Sequence, residues 1–398
     1  MFYSNLLWLT GLILLFSLMA GRLERSWVSG PMLFTGLGLL LGPLGLDLLV
    51  LPIDGELLGR LAELTLALVL FSDAASADRQ VLRRNARLPL RLLALGLPLT
   101  ILFGWLLGLW FFPRLGLFEA ALLAALLAPT DAALGEAVVT DVRVPPRLRE
   151  GLNVESGLND GICVPIVLLC LALASGTDGA DRPWHLALLL VAREIGIGLL
   201  AGLVCAGAGV ALLHLAGRRR WLAPEWRQIP VVALALLCFS AAQWLAGSGF
   251  IAAFCGGLLF GALGDPHRKI LLGAARASGD TLSLITWLSF GAVILGLAPL
   301  HLDPWVLLYS VLSLTLVRML PVFLVTGGMG LGVGDRLFVA WFGPRGMATI
   351  VFAVLVLDHD LPGGGLIVAI AGCTVLLSVI AHGVSANPWV ARMGAAGG

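Results

Sequence analysis

Apolar residues run through this chain in long, nearly unbroken stretches, and polar residues gather in the short loops between them. A helix that crosses a bilayer needs about 20 such residues. On that measure thirteen segments are expected, near 4–20, 27–45, 57–77, 90–112, 117–140, 151–173, 183–216, 229–246, 248–264, 279–297, 304–326, 337–357 and 364–386. Strands of a membrane barrel would instead run for about ten residues with alternating polarity. The pattern predicts an all-α polytopic membrane protein.

Composition agrees with the pattern. Of 398 residues, 59% are hydrophobic and 12% are charged, which is too little polar surface to coat a water-soluble globule. The first segment has no basic leader and no small-residue cleavage signature, so a retained helix is expected there, not a signal peptide. The six cysteines lie inside apolar segments without a C-x-x-C pair, as small core residues do.

The formal net charge of +1 conceals a one-sided distribution. Of the 25 Lys and Arg, only Arg60, Arg114 and Arg182 fall in loops of the odd-numbered side, and Arg193, Arg318 and Arg345 fall inside segments. The other nineteen, among them Arg79, Arg83, Arg84, Arg143, Arg147, Arg149, Arg218, Arg219, Arg220 and Arg276, belong to loops of the opposite side. By the positive-inside rule the N-terminus is outside and the C-terminus cytoplasmic. The basic loops are topology signals on this reading, not a nucleic-acid surface.

Thirteen segments divide as six, one and six. Residues 1–182 would form one repeat, residues 183–228 a connecting segment seven with its basic loop, and residues 229–398 a second repeat of inverted topology, as in many secondary transporters. Helix-breaking residues recur at equivalent places: Pro129 in segment five, and Gly343-Pro344-Arg345-Gly346 in segment twelve. A broken helix exposes backbone groups, which are tolerated at membrane depth only where they line a site. Glycines of segments two and seven, such as Gly38, Gly42, Gly198 and Gly202, have the spacing of close helix packing.

The chemistry gathers beside the first break. Asp131 and Asp160 reach one depth on neighbouring segments, and an ionised acid there is expensive enough to mark an ion or proton pathway. Ser156 and Asp160 are four apart, so they share a helix face and offer a hydroxyl and a carboxylate to one small cation. Thr130 supplies another oxygen. Asn159 can bond Asp131 or the carbonyls freed at Pro129, and the alternative for Asp131 is that it merely caps a half-helix N-terminus. Oxygen donors without Cys or His suit an alkali cation. Arg345 needs an anionic partner, and Glu155 is the expected one. Asp73, near the inner end of segment three, lines the cytoplasmic approach, joins the site, or is a solvated interfacial acid. No role is read for the histidines.

One carboxylate that crosses only when neutralised, by a proton or by a cation, produces exchange. With Asn159 neutral, one cation per proton and no net charge transfer are expected. No cofactor is implied beyond the transported Na+, Li+ or K+ and H+.

The motifs Leu70-Phe71-Ser72-Asp73, Pro129-Thr130-Asp131, Glu155 to Asp160, and Trp341-Phe342-Gly343-Pro344-Arg345-Gly346 resemble those of the monovalent cation:proton antiporter-1 family, the sodium/proton exchangers, over essentially the whole chain. The resemblance implies a homodimer in the cell membrane, with a mobile core of segments four to six and eleven to thirteen and a static dimerisation domain made of the rest. It implies Asp160 as the ion and proton carrier, Na+ at Asp160, Ser156 and Thr130, an Asn159 bond to Asp131, and a Glu155–Arg345 pair. Asp73 stands where relatives often have a glutamate. Competing readings are weaker. Gly332-Val333-Gly334-Asp335 matches the signature of intramembrane aspartyl proteases, but neither Tyr3 nor Tyr309 is followed by the partner aspartate. Symport of an organic solute would need a larger polar cavity.

Overall fold

A computed structural model describes residues 2–23, 28–49, 55–76, 86–131, 134, 138–139, 141–175, 184–263, 268–294 and 303–396. Arg25, Arg79, Arg83, Arg84 and Arg182, and most of segment five beyond Asp131, lie outside the described residues.

The described chain is helical. Its principal helices are α1 (Phe2–Leu23), α2 (Gly30–Leu41), α3 (Gly55–Ser76), α4 (Arg87–Phe111), α5 (Leu117–Leu126), α6 (Pro146–Ser175), α7 (Trp184–Arg218), α8 (Ile229–Trp244), α9 (Gly249–Ala262), α10 (Gly273–Ser289), α11 (Pro304–Val325), α12 (Val333–Trp341), α13 (Met347–Leu357) and α14 (Gly364–Ala396). Six of them (α1, α4, α6, α7, α11 and α14) are long and apolar enough to cross a membrane by length and composition, and five more are shorter apolar helices. Segment six begins earlier than its apolar run, because Pro146 serves as an N-terminal helical residue. Segment thirteen extends through Pro388 to Ala396.

Caps explain several starts. Ser29 accepts a hydrogen bond from the Met32 amide ahead of α2, Ser248 from Ile251 ahead of α9, and Asp303 from Trp305 ahead of α11. Prolines shape the interiors. Pro98 in α4 and Pro321 in α11 each follow a π-turn, at Leu92–Gly96 and Ser313–Val317. A proline ring collides with the carbonyl four residues back, and widening that turn relieves the collision.

Packing sorts the helices into two groups. In one, α3 packs on α9 and α10, and α9 packs on α7 and α8. Glycine brings these backbones together: Gly257 and Gly261 lie against Phe71 and Ala75, and Gly198 and Gly202 against Ser248 and Ala252. Gly38 and Gly42 do the same for α2 against the end of α10. In the other group α5 packs on α4 and α6, α13 on α14, and α11 on α12 and α14. Packing was therefore the correct reading of the glycine spacing.

Three arginines of the basic loops do more than mark topology. Arg91 donates to the carbonyls of Val325 and Gly327, Arg147 donates to that of Met329, and Arg336 donates to that of Phe323 and stacks on its ring. They gather at the carbonyl end of α11, where the helix dipole favours positive charge.

Candidate functional site

In the second group the non-helical stretch that follows α5 meets the gap between α12 and α13. The helix α5 stops at Leu126 and the chain runs on without helix to Asp131, while α12 stops at Trp341 and α13 resumes only at Met347. The two stretches touch through a 2.7 Å hydrogen bond from the Asp131 amide to the Pro344 carbonyl. Helix ends leave orphan carbonyls and amides, and specific groups satisfy them here. Thr349 Oγ1 donates to the Leu126 carbonyl at 2.9 Å, and Arg345 Nη1 donates to the carbonyls of Ala128 and Pro129. On the other side, Asp131 Oδ2 accepts from the Met347 amide at 2.9 Å. A carboxylate thus meets the positive end of α13, and a guanidinium meets the negative end of α5.

The glycines of the break are required by space. A Cβ on Gly346 would overlap the Asp131 carboxylate, and one on Gly343 would press into the Arg318 guanidinium. Loss of the side chain lets charge approach the backbone.

The helix α6 brings Ser156, Asn159 and Asp160, all buried, to this meeting point. Ser156 Oγ donates to the Thr130 carbonyl at 2.7 Å, and Asn159 Nδ2 donates to Thr130 Oγ1 at 2.6 Å. Asp160 is 8% exposed, and its Oδ1 has no hydrogen-bond partner among the described residues; the same holds for Asn159 Oδ1. Asp73, Asp131, Ser156 and Asp160 line one cavity of about 280 Å³, together with Ser72, Arg276, Asp280 and Ser283. A smaller recess beside it is lined by Thr130, Asp131, Ser156 and Pro344. Asp73 lies against α6, where a Cβ on Gly157 would stand 3.5 Å from its own Cβ. A buried carboxylate oxygen without a donor demands a positive partner. Hydroxyl, carbonyl and carboxylate oxygens are the donors a hard cation takes.

Two expected pairings are corrected. Glu155 does not pair with Arg345: its Oε1 and Oε2 accept from Nη1 and Nη2 of Arg318 at 2.6 and 2.8 Å. Arg345 is held by carbonyls instead, because the end of α5 supplies the negative partner that a carboxylate was expected to provide. Asn159 gives its amide hydrogen to Thr130, not to Asp131, because Asp131 points at the start of α13. Of the two readings of Asp131, capping a half-helix is the one its geometry displays, while it still borders the cavity.

Several participants were not singled out from sequence. Arg318 carried the same signal as Arg345, an arginine within an apolar run, and only their contacts tell them apart. Ser378 Oγ accepts from the Arg345 amide at 2.7 Å. Buried His382 lies 2.9 Å from the Trp341 carbonyl through Nε2, and its ring stacks on Trp341. Both residues come from α14 and hold the two sides of the break. Asp335 lies in the first turn of α12 and is not among the residues lining the cavity.

A helix end and a helix break that meet beside a buried carboxylate suit a membrane ion transporter, and the comparisons specify the family. The family model described as "Sodium/hydrogen exchanger, transmembrane" matches residues 10–392, so the chain belongs to that family. The fold is similar to that of the sodium proton antiporter MjNhaP1 from Methanocaldococcus jannaschii, with a TM-score of 0.77 and 21% identity over 96% of this chain and 99% of that one. The K(+)/H(+) antiporter NhaP2 of Shewanella sp. (strain ANA-3) is 28% identical over 333 residues, 81% of this chain and 56% of the relative. The K(+)/H(+) antiporter NhaP of Alkalimonas amylolytica is 27% identical over 395 residues, 96% of this chain and 65% of the relative. The chain thus spans a little over half the length of the Shewanella relative.

Proposed function

We propose that this chain exchanges a monovalent cation for a proton across the cell membrane by alternating access, one for one, with both ions competing for Asp160. The observation that carries this reading is the unpartnered Asp160 Oδ1, buried beside a cavity lined by oxygen-bearing side chains. An empty, charged carboxylate is costly to carry through the low-dielectric interior, whereas a protonated or cation-bound one is neutral. Only loaded forms cross, and the two fluxes are thereby coupled. Thr130 and Ser156 supply further oxygens to the cation, and Asn159 holds Thr130 without adding charge. Asp73 is close enough to α6 to join them.

The transported cation is Na+, with Li+ accepted, on this reading. A second reading, K+ for H+ at the same site, is favoured by the printed names of the Shewanella and Alkalimonas relatives. The chain works as a homodimer, with an outside N-terminus and a cytoplasmic C-terminus. The group containing α4 to α6 and α11 to α14 moves against the group built on α3 and α9. Support for inverted repeats comes from the paired breaks and from the proline-linked π-turns of α4 and α11.

The test is a cation series in proteoliposomes with an internal pH reporter. Na+, Li+ and K+ gradients at several pH values should drive proton flux in the wild type and none in Asp160→Asn. Exchange that survives this substitution overturns the assignment.

A further inference from the structure

The cavity beside Asp160 also has a basic side chain on its wall, and cation exchange by itself gives that side chain no task. Arg276 stands in the first turn of α10, and its Nη2 donates to Oγ of Ser76, the last residue of α3. Ser76 Oγ in turn donates to the Ser72 carbonyl. The guanidinium is therefore tied over the end of α3, and it shares the cavity wall with Asp73, Asp131, Asp160 and Asp280.

A guanidinium is charged at every working pH. Fixed at the mouth of a cavity lined with carboxylates, it offers them a positive charge before any ion arrives. Asp73 lines the same cavity, so an entering cation meets that charge beside it. We propose that Arg276 is an affinity-setting residue of the exchange, a built-in competitor of the incoming cation for the Asp73 carboxylate, which sets the concentration needed to load Asp160. This rests on Asp160 being the ion site. Repulsion between like unit charges across a partly hydrated cavity changes an association constant by about three- to ten-fold. That is enough to keep the site from saturating at low cation concentrations. The effect is electrostatic, so added salt weakens it.

The experiment is a thermal-stability titration of the purified full chain with NaCl, LiCl or KCl, balanced with choline chloride to constant ionic strength at alkaline pH. Arg276→Gln should lower the half-saturating cation concentration by about three- to ten-fold, and Arg276→Lys should keep the wild-type value. The change should shrink at high choline chloride, and Arg276→Gln should have a smaller effect in an Asp73→Asn background, where only the direct repulsion of the cation remains. Ser76→Ala, which unties the guanidinium, should shift binding in the same direction by less, and serves if Arg276→Gln does not fold. An unchanged half-saturation in Arg276→Gln, or a shift shared equally by Arg276→Lys or insensitive to salt, overturns the proposal. If wild type responds to cation while Asp160→Asn responds equally, the exchange reading fails. If Asp160→Asn is silent and Arg276→Gln matches wild type, only the present inference fails. No response to any cation overturns both.

Discussion

Glu155 of α6 and Arg318 of α11 face each other through two hydrogen bonds of 2.6 and 2.8 Å, with both side chains almost wholly enclosed. The fork of a guanidinium matches a carboxylate in this way, and the geometry fixes the two helices relative to each other. Burying both charges has a large desolvation cost, so the pair adds little net stability over an apolar one, but losing one member strands the other. Glu155→Leu or Arg318→Met should each destabilise the protein by about 3–5 kcal/mol. The double variant Glu155→Leu with Arg318→Met should recover much of that loss. Melting of the detergent-solubilised variants checks this, and additive losses would show that the two charges are not coupled.

Arg345 serves a different end. Its removal leaves the Ala128 and Pro129 carbonyls at the end of α5 without their donor. Unpaired buried acceptors cost about 1–3 kcal/mol, so Arg345→Ala should lower the melting temperature. Retained stability with lost exchange would instead place Arg345 in the ion pathway.

The approach of Asp131 to Gly346 permits no side chain between them. Gly346→Ala should displace the carboxylate from the start of α13 and reduce exchange sharply. Gly365→Ala, with nothing within 4 Å of the added carbon, is the control and should behave as wild type. Comparable exchange rates in the two variants would mean that the contact is dispensable.

One-for-one exchange moves no net charge. Proton flux driven by a cation gradient should therefore be the same at membrane potentials clamped to opposite signs in proteoliposomes. A reproducible dependence on potential would require a second titrating carboxylate, with Asp73 the nearest candidate, and would end the electroneutral reading.

Between the two arms of the site runs the turn at Asp141, where Arg143 donates from its guanidinium at 2.7 Å and from its amide at 2.8 Å. These bonds hold the Asp141 carboxyl below the usual carboxylate range. A lowered folded value means that the stabilisation is present above the ordinary carboxylate pKa and disappears as pH falls through the lower folded one. Asp141→Asn should thus melt slightly below wild type at neutral pH, and the two curves should converge in strong acid. A gap that persists there would assign the effect to packing.

The sequence by itself determined the membrane class, the two breaks and some of the residues that meet at them. Each leaves a one-dimensional signal: continuous apolar runs, proline or glycine within a run, and carboxylates where hydrocarbon is expected. Asp160, Ser156, Thr130, Asp131 and Asp73 were legible for that reason. Which partner each takes was decided only in three dimensions. Arg318 and Arg345 are equally anomalous along the chain, yet one meets a carboxylate and the other meets backbone carbonyls, because the latter stands at the end of a half-helix. Asn159 turned to Thr130 because Asp131 was engaged by an amide from a distant part of the chain. Arg276 was counted among the loop charges until folding placed it on the wall of the cavity beside Asp160. Hydrophobic patterning is a property of neighbours in sequence, whereas hydrogen bonds and ion pairs depend on distance and direction between residues that only packing brings together.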